Sequence, residues 1–319
     1  MRYDPTPTPL APLAPARSPM FATLLGALPR PTLPEPLSDD EVVRFAIESQ
    51  ERAGLEPVTD GALRGGSFAV ADWEFAAACT TRAVKQRLPG PYSAGRLVAG
   101  GRREREAATV RVADELNAGV RALAAAGCPM VEIEEGDVAS IGDDLAERRL
   151  FTAAHRRLTS GVENVHLSLA LVGGNADTAG AATFFDLPYA SYAVDLIAGP
   201  DNWRLVTAAP GDRGIVCGAM GAGEDADEGP EVLVWAAHYA AASEARGLDR
   251  VGLANAPGLD AVSWAVAVRK FERLADAARI ASFESGREMA EALDPRAVSS
   301  RSAALGRVEP PPRKRRARK

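Results

Sequence analysis

The chain has little of what most often carries chemistry: its 319 residues hold three cysteines and three histidines. Cys79, Cys128 and Cys217 are widely spaced, odd in number and without a Cys-x-x-Cys pair. That excludes a disulfide framework and a thiolate cage, and it predicts a reducing, cytoplasmic compartment. No apolar run approaches the roughly 20 residues of a membrane helix, so no membrane partner is expected. The amino terminus lacks the charged and then apolar pattern of a secretory signal. No Gly-x-Gly-x-x-Gly follows the first apolar segment, which makes a doubly wound dinucleotide-binding sheet the weaker alternative. Trp73, Trp203, Trp235 and Trp264 are scattered and read as packing.

What is present can bury a substantial core, with 46% hydrophobic and 25% charged residues. The formal charge of -6 conceals an asymmetry. Residues 307–319 hold seven Arg or Lys and one Glu, leaving 30 basic against 42 acidic residues in the rest. Nucleic acid is therefore not an expected partner; the basic run reads as a solvated tail. Residues 1–20 form a Pro-rich leader, 296–319 the tail, and 21–295 a single domain; both ends read as disordered.

Along that domain, short apolar segments alternate with helical patterns. The central one, Asn164 to Leu169, carries Val165, Leu167 and Leu169 at alternate positions, is bounded by glycines, and reads as a buried strand delivering His166 to its carboxyl end. Candidate strands also lie at Phe21 to Pro31, Leu55 to Gly61, Ala83 to Leu88, Met130 to Asp137, Tyr192 to Ile197, Gly214 to Met220 and Arg250 to Asn255. Ser38-Asp39-Asp40-Glu41 caps a helix closed at Gly54, and longer helical patterns cover 102–126, 230–245 and 259–281, with another near 285–293. Eight strands separated by helices predict a (β/α)8 barrel, whose site lies at the carboxyl face.

Several stretches carry a family resemblance. Thr23-Leu24-Leu25-Gly26-Ala27-Leu28-Pro29-Arg30, Gln50 through Asp60-Gly61, Val84-Lys85 to Pro89-Gly90-Pro91-Tyr92-Ser93, and Ala126-Gly127-Cys128 to Glu135 resemble, in order, motifs of the carboxyl-terminal domain of cobalamin-independent methionine synthase. The resemblance implies a TIM-type barrel of the methionine synthase/uroporphyrinogen decarboxylase type, transfer of a methyl or other small alkyl group, and a folate-type donor. In that family zinc, held by a His, a Cys two residues later, a Glu and a second Cys, keeps the acceptor thiol as thiolate. Here the positions fall on His166, Ser168, Asp195 and Pro257, so the resemblance implies a degenerate zinc site. Any metal would rest on His166 and Asp195. Ala62 stands where the family has the Glu that meets the acceptor's ammonium, which argues against homocysteine.

The expected carboxyl face thus collects His166, Glu134 and Asp195 as catalytic groups, with Gly26, Asp60, Arg64, Tyr92, Glu135, Ser168 and Asn255 binding a small polar substrate. Glu134 and Glu135 alternate, so only one, taken as Glu134, faces the interior. Blander roles stand beside these: His166 in the core, Asp195 as a loop cap, Arg64 paired with Asp60, Cys217 as a small core residue, and His155 and His238 at the surface. Three functions remain open: alkyl transfer, a metal-free lyase or decarboxylase, and a non-catalytic binding barrel. Oligomeric state is not legible.

Overall fold

The computed structural model describes residues 20–31, 37–65, 69–226 and 228–294. Most of the leader and the whole basic tail therefore lie outside the described residues. Seven strands, β1 (Phe21–Ala22), β2 (Lys85–Pro89), β3 (Met130–Glu135), β4 (His166–Leu171), β5 (Ser191–Asp195), β6 (Gly214–Met220) and β7 (Val251–Asn255), pair all-parallel in the order β1-β7-β6-β5-β4-β3-β2. The sheet is curled, with α1 (Asp39–Ala53), α2 (Val70–Ala78), α3 (Pro91–Arg96), α4 (Arg102–Ala125), α5 (Leu145–Leu158), α6 (Ala181–Phe185), α7 (Trp203–Ala208), α8 (Pro230–Ala242), α9 (Trp264–Ala281) and α10 (Gly286–Leu293) between and after the strands.

The expected second strand differs. Around Pro57 the chain hydrogen-bonds to both sheet edges: Glu56 N donates to Ala22 O (3.0 Å), Val58 N to Ala83 O (2.9 Å), and Lys85 N to Val58 O (2.9 Å). Pro57 has no N–H to add to a ladder, and the segment remains one isolated parallel bridge, Val58 to Val84. β1 is likewise two residues long, shorter than the segment suggests.

Helix ends follow the sequence chemistry. Ser38 and Glu41 form a reciprocal capping box on α1, and Gly54 closes it at φ 97. The buried face of α1 is Val42, Val43, Ala46 and Ile47. Burying each larger member contributes about 1.5–3 kcal/mol. Among the described residues no helix is long and apolar enough to cross a membrane.

Strand alternation divides the core in two. Leu167, Leu169 and Leu171 pack in the large cluster under the helices, whereas Ala170 and Val172 join Leu25, Ala193, Val216 and Ala254 in a separate interior cluster. The interior of β4 to β7 is thus built from small residues, with Gly218 and Gly252 among them. A Cβ at Gly252 would lie 2.5 Å from the Phe21 ring, so the missing side chain makes room for Phe21.

Candidate functional site at the carboxyl ends of the strands

The opposite wall of the interior is ionic. Glu132 is in register with Ser168 and Glu134 with Ala170, so both glutamates share the inward face, while Val131 and Ile133 pack under the helices. From β2, Lys85 Nζ meets both Glu132 carboxylate oxygens at 2.9 Å, and both side chains are almost fully buried (1% and 0% exposed). One layer nearer the carboxyl end, Arg87 clasps Glu134 through Nε (2.7 Å) and NH2 (2.5 Å), and Gly26 N donates to the same carboxylate at 3.1 Å. The paired Glu134 raises the Arg87 pKa. Sequence reasoning overlooked Lys85 and Arg87. The legible signal was two cations two residues apart on a strand expected to be buried.

Asp60 lies beside this pair. Gln50 of α1 grips the preceding residue through both backbone groups, accepting from Thr59 N (2.9 Å) and donating to Thr59 O (2.8 Å), which fixes the turn. Asp60 Oδ1 accepts from Ala62 N at 3.1 Å, and the side chain is buried. Burial raises its pKa, while the Arg87 charge pulls it down. Arg64 does not pair with Asp60 as expected. It reaches Asp40 (2.5 Å) and Asp72 (3.4 Å) and stacks over Phe75, because it leaves the turn on its outer side.

The remaining expected residues have structural partners, Ser168 excepted. Asp195 accepts from Gly173 N (3.3 Å), Ile197 N (3.0 Å) and Ala198 N (2.9 Å), and so closes the loops after β4 and β5. Asn255 ties the end of β7 to β1 by accepting from Leu25 N (3.2 Å) and donating to Leu25 O (2.9 Å) and Ala256 O (2.8 Å). Glu135 points outward, where it accepts from Tyr92 N (2.9 Å), Ser93 N (2.7 Å) and the Ser93 hydroxyl and lies 3.0 Å from His155 Nε2. The Tyr92 hydroxyl donates to Glu147 (2.8 Å), away from the interior, and burial raises its pKa. Ser168 faces the interior, and its buried Oγ has no hydrogen-bond partner.

Three expectations about the histidines and the carboxyl end are corrected. His166 opens β4 instead of ending it, so it stands at the amino-terminal mouth with Nε2 2.7 Å from Ser191 Oγ. The strand continues through Leu171, with Ala170 as its inward position at the carboxyl end and Val172, just beyond, in the same interior cluster. His166 and Asp195 therefore lie at opposite ends of adjacent strands and cannot share a metal. His155 is fully buried, between Glu135 and the Tyr189 hydroxyl (2.7 Å), although its helical pattern reads as surface. His238 is half-buried, and its Nε2 has no partner. Cys217 is buried against α8 with its thiol pushed up to about 12 by desolvation.

No protein-family model and no curated protein matches the chain. Among solved structures it resembles a B12-independent methionine synthase from Shewanella sp. W3-18-1 in complex with selenomethionine, with a TM-score of 0.71 and 17% identity over 82% of this chain and 97% of that one. It also resembles a candidate vitamin B12-independent methionine synthase from Listeria monocytogenes, with a TM-score of 0.63 and 14% identity over 82% and 98% of the two chains. At these identities the likeness establishes a shared architecture: a parallel α/β fold of the TIM-barrel kind seen in B12-independent methionine synthases.

Proposed function

We propose that the chain is a metal-free transferase that moves a methyl or other small alkyl group onto the nitrogen or oxygen of a small polar acceptor, working at the carboxyl ends of β1, β2 and β3. In this reading the segment around Pro57 takes the place of the second of eight barrel strands. The observation that carries it is the convergence of buried Asp60 with the Arg87–Glu134 pair and the Gly26 N–H. Asp60 is the proton acceptor: it takes the acceptor's proton as the new bond to the alkyl carbon forms and hands it to the leaving group. Arg87 and the Gly26 N–H hold the Glu134 carboxyl group in place, so that it meets a cationic or hydrogen-bonding part of the substrate.

A zinc site of the methionine synthase kind does not fit these residues. Ala170, with Val172 just beyond, occupies the inward carboxyl end of β4, and Asp195 already accepts three backbone N–H groups. Among the described residues no three His, Cys, Asp or Glu side chains are grouped to hold a metal. With no thiolate-stabilising ion in the scheme, nitrogen or oxygen acceptors suit the carboxylate base better than homocysteine.

The test is a thermal-shift screen pairing folate-type donors with small amines, amino acids and alcohols. A ligand at a hundred times its Kd stabilises by about 2.7 kcal/mol, roughly 4 °C for a chain of this size. Asp60→Asn and Glu134→Gln should abolish the shift, while His166→Ala preserves it. The reverse pattern would overturn the assignment, and turnover of a single substrate without a donor would identify a lyase instead.

A further inference from the structure

At the opposite end of the barrel is a cavity of about 470 Å³ that the proposed reaction does not use. Its walls are mainly apolar, with Phe21, Met130 and Ile215 among them, and His166 and Ser191 supply the polar pair. His166 is exposed to this space. Its Nε2 is taken by Ser191, whereas Nδ1 has no hydrogen bond within the described residues. Partial desolvation by the surrounding wall lowers the pKa of the ring, which favours its neutral form.

The charges at the mouth are also sorted. Asp212, Asp249 and Arg250 line it. The nearby cations serve backbone carbonyls: Arg250 NH1 donates to Arg246 O (3.3 Å) and Arg213 NH1 to Tyr189 O (2.9 Å). Arg213 Nε is 3.7 Å from Asp212, and Asp249 has no ion pair among the described residues. An apolar chamber with an imidazole inside and two carboxylates against one lining guanidinium at its entrance suits an apolar body with a protonated amine at one end.

We propose that the amino-terminal mouth of the barrel is a second binding site, for a small aryl- or alkylamine whose ammonium donates to His166 Nδ1 and faces Asp249 while its apolar body packs against Phe21 and Ile215. The site is separate from the carboxyl-face cluster: His166 and Glu134 lie at opposite ends of the sheet, on the first residue of β4 and the fifth of β3.

The probes are 2-phenylethylamine, 2-phenylethanol and 3-phenylpropionate, titrated into the full chain and followed by calorimetry and by NMR of the histidine rings. The amine should bind with a Kd on the order of 1 mM or tighter and move the His166 signals. The alcohol should bind roughly tenfold more weakly and the carboxylate more weakly still. His166→Phe and Asp249→Asn change exposed positions, and melting curves verify that both fold. Each should weaken the amine about tenfold and shrink its advantage over the alcohol. Equal affinity for the three probes, no response at His166, or an unchanged amine affinity in both variants would each overturn the proposal.

Discussion

Replacing Lys85 by Met removes one half of an ion pair that has almost no access to water. Glu132 would keep its burial and lose the ammonium that now sits 2.9 Å from each of its oxygens. Breaking such a pair costs about 3–5 kcal/mol, because the remaining charge is uncompensated. For a chain of this size that is on the order of 10 °C in Tm. Burial already pushes the Glu132 carboxyl up, and Lys85 opposes it. In the variant the upward push of burial is opposed by little more than the Arg87 charge, so the folded pKa stands above the unfolded value of about 4.3. The folded chain then holds a proton that the unfolded chain releases, and stability falls as pH rises between those two values. The deficit should therefore be smaller at pH 5 than at pH 8. Lys85→Met/Glu132→Met removes both charges and should recover most of the loss. Thermal and urea unfolding of the parent, the single and the double variant at both pH values supply the measurement. A single variant within about 1 °C of the parent, or a double variant no better than the single, would refute the buried, coupled pair.

Other outcomes follow from the same geometry. Asn255→Leu strips partners from Leu25 N, Leu25 O and Ala256 O, and urea unfolding should show a loss of about 3 kcal/mol. Gly252→Val drives a side chain into the Phe21 ring and should cost about 1–3 kcal/mol, with Phe21→Ala in the same chain restoring part of it; equal melting of single and double variants would contradict the contact. In a thiol titration at pH 8, Cys217 and Cys128 should stay silent in the folded protein, since burial lifts their thiols to about 12 and about 11, and react after denaturation.

The sequence disclosed the parallel α/β layout because strand and helix periodicities, the Ser38 cap and the Gly54 stop act locally. It disclosed Asp60, Glu134 and Asn255 as strand-end groups for the same reason. It misplaced His166, because an apolar run fixes the existence of a strand better than its boundaries. Valine and asparagine before His166 read as strand, yet pairing begins at His166 and continues through Leu171. The role of His155 was hidden for a different reason. Its partners Glu135 and Tyr189 are 20 and 34 residues away, and only the packing of α5 on the sheet brings them together. Pairing of Arg64 with Asp40 likewise spans 24 residues.

The concave face of this curled sheet is lopsided, with long charged side chains on β2 and β3 and small residues such as Ala170, Ala193, Gly218 and Gly252 on β4 to β7. Evolutionary change in such a chamber is constrained to move in couples. Ala170 stands in register with Glu134, so a larger side chain there crowds the Arg87–Glu134 pair, and shortening that cation leaves its glutamate to be neutralised in the same lineage. Changes that conserve volume at Val172 or Val216, in the same buried cluster, strand no charge and can be made one at a time.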